Sequence, residues 1–440
     1  MDQKKSFLRK ENIILNLIYI ILVFAVMSDI LRIPGTSLTF YRLSMPIAFF
    51  IVMLYPKWAK RLVMLSIAFC VVNFIFNLFC YQIYSVDITF SEGGVLKYCI
   101  LYFSIFLAII LVCILKEILK EDFELSFINW ICAMGVILMV TLIAYDIAPY
   151  FFGELPLDNP NNYGCYIAAV FPFYLGRAYQ NKRLFYFLLS LMCLILLYVN
   201  DSKVSLFGVL IQIAIFFCIT GSETKKSFVF RRLIVPALVI VVVIAVIFGV
   251  NPAIHGYPLQ GIISEPIERI LTNNPYPTYT ASTSFRTNTT IFGFNTLWDL
   301  KGMGIGAGNF GIILKKEFPN INPAYTQALN APSMSLHNSW LEFVLDFGII
   351  AVILLMIPLI YAIRLYFGRQ KMSLIEKISL IFIFSFPVWV LGPSGVYTQY
   401  YLFVVITYLV ICRKVDRTEE GDRSIIRKGR LYYNEDSIYF

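Results

Sequence analysis

The residues able to do chemistry in this chain gather in one stretch, Ser333 to Gly348, which reads SMSLHNSWLEFVLDFG. His337 is one of two histidines in 440 residues, and with Asn338 it stands at the mouth of an apolar run. Ser339 and Glu342 have the Ser-x-x-Glu spacing of a capping box, which starts a helix there and leaves His337 and Asn338 just upstream of it. Free amides and the positive end of the helix dipole then surround the imidazole and favour its neutral form, the state a general base needs. A histidine that simply hydrogen-bonds at a membrane interface fits the same pattern. Glu342 has a role as the cap partner. Asp346 lies four residues further on, about 6 Å deeper along the helix, on the face shared by Asn338 and Glu342. An acid at that depth calls for a water-filled cavity, a buried cationic partner or a bundle-stabilising ion pair.

Few cations are available to face such a site. Arg286, in STSFRTNTTIFGFNTLW, and Lys203, in NDSKVSLFG, are the main candidates. Arg suits bidentate contact with a phosphate. Lys203 opens an apolar run, where snorkelling to the interface is the ordinary explanation, and Arg286 fits a plain surface charge as well. Arg269, Lys315 and Lys316 each sit near acids that satisfy them. Asn159, Asn161 and Asn162, in PLDNPNNYGCY, read as helix caps or as hydrogen-bonding groups for sugar hydroxyls. The glycine cluster KGMGIGAGNF is not a nucleotide loop, because its lysine precedes it and no βαβ context exists; tight turns account for it.

The elements that must carry these residues are membrane helices. Hydrophobic residues make up 59% of the chain and charged residues 14%, with a mean hydropathy of +0.75. Apolar runs near the length of a bilayer core recur from end to end, at roughly 13–31, 43–55, 62–83, 98–115, 126–148, 163–179, 184–199, 204–220, 233–250, 338–363, 375–391 and 399–412. The pattern predicts an all-α polytopic membrane protein of about twelve spans, within a range of ten to twelve. With the N-terminus inside and each run crossing once, the inside segments hold 27 of the 36 lysines and arginines. That bias places both termini in the cytoplasm and makes the net charge of +9 topological, which removes nucleic acid as a partner. The first run lacks a small-residue cleavage site and reads as an uncleaved span. Most of the nine cysteines fall inside apolar runs without metal or CxxC spacing and read as packing residues.

The expected organisation is a bundle of nine spans over 1–250, a large extracytoplasmic loop over 251–336, three more spans over 337–412 and a mixed-charge cytoplasmic tail over 413–440. Long loops with aromatic and amphipathic stretches usually carry function, and short helices are expected at about 262–271 and 290–300.

Taken together, these motifs resemble the bacterial O-antigen ligase and polymerase superfamily. His337, Asn338, Leu341, Asp346 and Gly348 match its histidine motif. Asn-Pro-Asn at 159–161 and the Arg286-to-Phe310 segment, with its Gly-x-Gly-x-Gly-Asn-Phe run, follow the family order over roughly residues 155–350. There is one departure: the family often has Ser-Arg where this chain has Ser202-Lys203, which keeps the charge but loses the guanidinium fork.

The resemblance implies a fold similar to the C-type glycosyltransferases and an activity at the outer face of the bacterial cytoplasmic membrane. Relatives move a glycan from undecaprenyl diphosphate to an acceptor hydroxyl with inversion, needing neither metal nor cofactor. On that reading His337 is the catalytic base, and Arg286 and Lys203 bind the donor diphosphate. Asn338, Glu342, Asp346 and Asn161 bind or orient the acceptor. The partners are the lipid-linked oligosaccharide, membrane lipid, and a chain-length regulator and flippase of the same pathway. A polymerase of O-antigen, capsule or exopolysaccharide is the first reading, helped by a composition suggesting an AT-rich genome. A ligase acting on lipid A core or protein is the second. A lipid-linked glycan transporter belongs to another class, and the internal repeats and midplane-broken helices typical of transporters are not visible in the sequence.

Overall fold

The computed structural model describes residues 2–28, 31, 38–84, 95–147, 160–181, 183–199, 203–220, 281–314, 338–368, 372–390 and 400–412. These residues form α1 (Asp2–Val26), α2 (Phe40–Met53), α3 (Pro56–Tyr84), α4 (Val95–Leu119), α5 (Phe123–Ile147) and α6 (Pro160–Asn181). They continue as α7 (Leu184–Val199), α8 (Lys203–Thr220), α9 (Ala281–Asp299), α10 (Ser339–Gly368), α11 (Leu374–Trp389) and α12 (Tyr400–Cys412). Among the described residues, three segments are long and apolar enough to cross a membrane: Pro56–Tyr84, Val95–Thr141 and Ser339–Tyr366. Shorter apolar helices cover Glu11–Val26, Phe40–Met53, Leu184–Tyr198, Val204–Thr220 and Tyr400–Val410. The chain is thus a helical integral membrane protein. The expected run at 233–250, the loop stretch 251–280 and the tail 413–440 lie outside the described residues.

Local sequence explains where several helices begin. Thr39 caps α2 by accepting the Arg42 N–H at 3.2 Å. Pro56 and Pro160 occupy the first positions of α3 and α6, where a missing N–H costs nothing. Ser373 and Glu376 form a reciprocal capping box on α11, at 2.9 and 3.3 Å. Between α4 and α5 the chain turns through a 3-10 segment, Lys120–Asp122, with Lys120 at φ 50.

Packing groups the helices into two clusters. One holds α1 to α4 with α12; the other holds α5 to α8 with α11. The helix α10 joins them, lying against α11 on one side and α3 on the other, and α9 rests on it. Lipid supplies no hydrophobic force between helices, so small residues and interhelical hydrogen bonds do much of the joining. The Tyr41 hydroxyl donates to the Ser104 carbonyl at 2.6 Å, and Ser104 Oγ lies 2.9 Å from the Tyr400 hydroxyl. Gln212 Nε2 donates to the Ala168 carbonyl at 2.9 Å and to Ser385 Oγ at 3.1 Å, tying α8 to α6 and α11. Gly208 lets α8 come onto Trp389, whose Cβ would lie 2.6 Å from an added methyl.

Candidate functional site

The helix bearing the acidic residues starts differently from the sequence expectation. Asn338, not Ser339, occupies the cap: its side-chain oxygen accepts the Leu341 N–H at 3.3 Å, and its carbonyl accepts the Glu342 N–H at 2.9 Å. Ser339 is the first residue of α10, and its N–H donates to the Val390 carbonyl at the end of α11, at 3.3 Å. The cap is therefore one residue earlier, and Glu342 sits beyond the position a cap partner takes. Both acids now need an account outside capping.

Nine residues further on, α10 breaks. Gly348 has φ 56 and ψ −139, and a methyl there would lie 2.5 Å from the Gly302 carbonyl oxygen. In an unbroken helix the Leu345 carbonyl would accept the Ile349 N–H. Instead the glycine-rich turn following α9 takes both groups. Ile305 N–H donates to the Leu345 carbonyl at 2.8 Å, Gly306 N–H to the Asp346 carbonyl at 3.0 Å, and Ile349 N–H to the Gly302 carbonyl at 3.0 Å. The opened turn keeps its hydrogen bonds by exchanging partners, which is the condition under which irregular backbone survives inside a membrane protein. The glycines are thus more than turn formers. A methyl on Gly304 would meet the Asp346 carbonyl oxygen at 2.4 Å, and one on Gly308 would meet the Tyr98 ring at 2.1 Å.

Two asparagines on α3 hold that turn, and sequence reasoning passed over both. Asn73 is fully buried and Asn77 is 2% exposed. Asn73 Oδ1 accepts the Ala307 N–H at 2.9 Å, and Asn77 Oδ1 accepts Asn309 Nδ2 at 2.7 Å. Asn77 Nδ2 donates back to the Asn73 carbonyl at 2.7 Å, and Asn309 Nδ2 also reaches the Ile305 carbonyl at 2.7 Å. The available signal was a pair of amides four residues apart inside an apolar run, which share a helix face and demand partners in lipid.

Asp346 is 1% exposed. Its described electrostatic neighbours are Cys80, Tyr98 and Tyr102, on α3 and α4, and Glu342 acts on the same two tyrosines. An aromatic wall lies against this part of α10. The Phe69 ring stacks on Tyr102 with centroids 4.1 Å apart, and Phe347 meets Tyr102 and Phe69 edge-on at 5.7 and 5.6 Å.

The other expected site residues divide by what the structure describes. His337 lies outside the described residues, immediately before Asn338. The backbones of Asn161, Lys203 and Arg286 fall within helices, while their side chains are outside the described set. Asn161 is the second residue of α6, so the cap position of that helix falls to Asn159, outside the described residues. Lys203 is the first residue of α8. The starts of α6, α8 and α10 converge on the end of α11: Cys165 Sγ donates to the Trp389 carbonyl at 3.1 Å, Gly208 packs on Trp389, and Ser339 reaches Val390. Arg286 sits on α9, the helix covering the expected stretch at 290–300. Further along α9, Phe294 meets Trp340 of α10 edge-on at 6.1 Å. Asn161, Lys203, Asn338 and the two acids are therefore at one end of the bundle. Their helix N-termini present positive dipole ends there, an arrangement that favours anions.

Residues 187–356 match the family model described as O-antigen ligase. The match bears out the superfamily resemblance read from the motifs. It takes in Lys203, Arg286, the glycine turn and the histidine motif; the Asn-Pro-Asn at 159–161 falls before it. A comparison with curated proteins gives no match.

Proposed function

We propose that this chain, which carries the O-antigen ligase family pattern over residues 187–356, is a polysaccharide polymerase of the membrane glycosyltransferase type. The donor is a glycan on undecaprenyl diphosphate, and the acceptor is a hydroxyl of a second lipid-linked repeat unit. The observation that carries this reading is the meeting of the first turns of three helices, α6, α8 and the acid-bearing α10, around Trp389 and Val390. A diphosphate leaving group needs positive potential where charge accumulates, and helix mouths with Lys203 and Arg286 supply it.

In the proposed reaction the acceptor oxygen attacks the anomeric carbon from the side opposite the diphosphate. One carbon–oxygen bond forms as the carbon–phosphate-oxygen bond breaks, inverting the centre. His337 takes the acceptor proton, and the diphosphate leaves as the anion held by Arg286 and Lys203. Asn338 at the cap of α10, with Glu342 and Asp346 following at four-residue spacing on the helix, orients the acceptor or the imidazole together with them, with Asn161 nearby. No metal is assigned a role.

The reading also sets the site on the outer face of the cytoplasmic membrane with both termini inside. Its support is that Lys57, Lys60, Arg61, Lys116 and Lys377 belong to the opposite ends of their helices, as the positive-inside rule expects. Ligase-type transfer to lipid A core or to protein is the second reading, favoured by the description of the matching family.

The test is His337→Ala in cells and in membrane vesicles supplied with lipid-linked oligosaccharide. Loss of glycan transfer, with the protein still in the membrane, is expected. Polymer of wild-type length in that variant would remove the catalytic assignment, and transfer by the wild type to lipid A core or protein, rather than to a second undecaprenyl-linked unit, would favour the ligase.

A further inference from the structure

We propose that Asn73 and Asn77 are positioning residues for the transfer reaction, acting on Asp346 through the glycine turn. The inference rests on the function proposed above. Neither asparagine lies on α10 or within the family match, and no hydrogen bond described above joins either of them directly to that helix.

The linkage is short and tightly packed. Asn73 Oδ1 holds the Ala307 N–H, and the adjacent Gly306 N–H holds the Asp346 carbonyl. Asn77 Oδ1 holds Asn309, whose amide also reaches the Ile305 carbonyl; the Ile305 N–H in turn holds the Leu345 carbonyl. The turn is a single backbone thickness between α3 and α10. A methyl on Gly306 would lie 2.4 Å from Asn77 Nδ2 on one side, and a methyl on Gly304 2.4 Å from the Asp346 carbonyl on the other. Gly306 also has φ +82, a conformation that glycine adopts without strain. Such a spacer transmits position rather than absorbing it, because close-packed contacts shift discretely instead of stretching.

The alternative is that two buried amides on α3 merely glue helices together, as polar residues in bundles often do. Two features favour positioning. Both asparagine oxygens are directed at the turn rather than at a neighbouring helix. The turn, in turn, spends its own N–H groups on the two carbonyls that the Gly348 break leaves open. Asp346 therefore stands where α3 and the turn hold it, not where helix geometry alone would. A misplacement of about 1 Å in such a group costs on the order of a hundredfold in rate.

The experiment uses the full-length protein in nanodiscs, with two arms. The first is amide hydrogen exchange of Asn77→Ala and Asn309→Ala, which needs no substrate. Faster exchange at Ile305, Gly306 and Ile349 is expected, although Ile349 touches neither changed side chain. Exchange raised on α3 alone, with Ile349 unaltered, overturns the linkage.

The second arm measures transfer with lipid-linked oligosaccharide extracted from cells lacking the chain. Asn77→Ala is expected to lower kcat per folded protein about tenfold or more, with KM within about twofold. Asn77→Asp, which keeps the oxygen that Asn309 donates to, should recover part of it, and the Asn77→Ala/Asn309→Ala double variant should be no worse than either single one. Unchanged kcat per folded protein, or additive losses, overturns the proposal. Should Asn77→Ala fail to reach the membrane, Asn309→Ala removes the same link from the turn and carries the test. If the wild type itself transfers no glycan, the functional reading fails, while the exchange arm still decides whether α3 sets the position of the α10 break.

Discussion

The Asn338 side chain closes the first turn of α10 on the Leu341 N–H at 3.3 Å, while the Ser339 N–H is spent on Val390. The helix mouth is thus capped by one residue and anchored to α11 by the next. Asn338→Ala should lower thermal stability by about 1 kcal/mol, as loss of an N-cap does, and Asn338→Asp should keep most of it. Thermal unfolding in detergent measures both. A larger loss in Ser339→Ala than in Asn338→Ala would restore the capping box to Ser339 and Glu342.

The glycines of the turn should not be equivalent. Gly302 has φ +79 but nothing within 4 Å of an added methyl, so Gly302→Ala should cost only about 1–2 kcal/mol of backbone strain. Gly304→Ala and Gly348→Ala would drive a methyl to 2.4 and 2.5 Å from backbone carbonyl oxygens. Both should abolish glycan transfer and reduce the folded protein recovered. Equal behaviour of all three variants would contradict the close approach of the turn to α10.

Arg286 tests the leaving-group side of the reaction. Arg286→Ala should reduce transfer severely, and Arg286→Lys should restore part of it by returning the charge without the fork. Lys203→Arg should be tolerated, since it recreates the residue the family often carries. Wild-type rates in both Arg286 variants would remove that residue from the donor site.

Arg177 is a separate prediction about stability. It is 6% exposed on α6 and is held by neutral groups, the Asn129 side-chain oxygen and Gln180 Oε1 at 3.3 Å. Asn129→Leu strands a buried guanidinium and should destabilise by about 2–3 kcal/mol, whereas Arg177→Met should cost less. Melting of the two variants and their combination decides it; equal losses would argue against the pairing.

Much of this architecture was legible in the sequence because apolar runs are local. The run read at 62–83 is α3, the run at 338–363 is α10, and the amphipathic stretch at 290–300 falls in α9. The cap was misread by one residue because Asn338-x-x-Leu341 and Ser339-x-x-Glu342 both satisfy local rules. The choice between them depends on α11, fifty residues further on. The break at Gly348 had no signal of its own, since a glycine in a helical run is compatible with a continuous helix. What opens it is the arrival of the turn at Gly302 to Gly306, a contact between segments some forty residues apart. Asn73 and Asn77 were passed over because their partners lie more than two hundred residues away.

The convergence on Trp389 and Val390 has a mechanical meaning. The mouths of α6, α8 and α10 share one anchor at the end of α11, a helix whose other end is closed on itself by the Ser373–Glu376 capping box. A slide of α11 along its axis would therefore move all three mouths together and in the same direction. Asp346 stands on the same unbroken turns of α10 as Ser339 and would be drawn along with them, against the glycine turn that Asn73 and Asn77 hold. The seam of such a motion thus falls at the Gly348 break, where α10, anchored on α11 at its mouth, meets the turn that α3 holds.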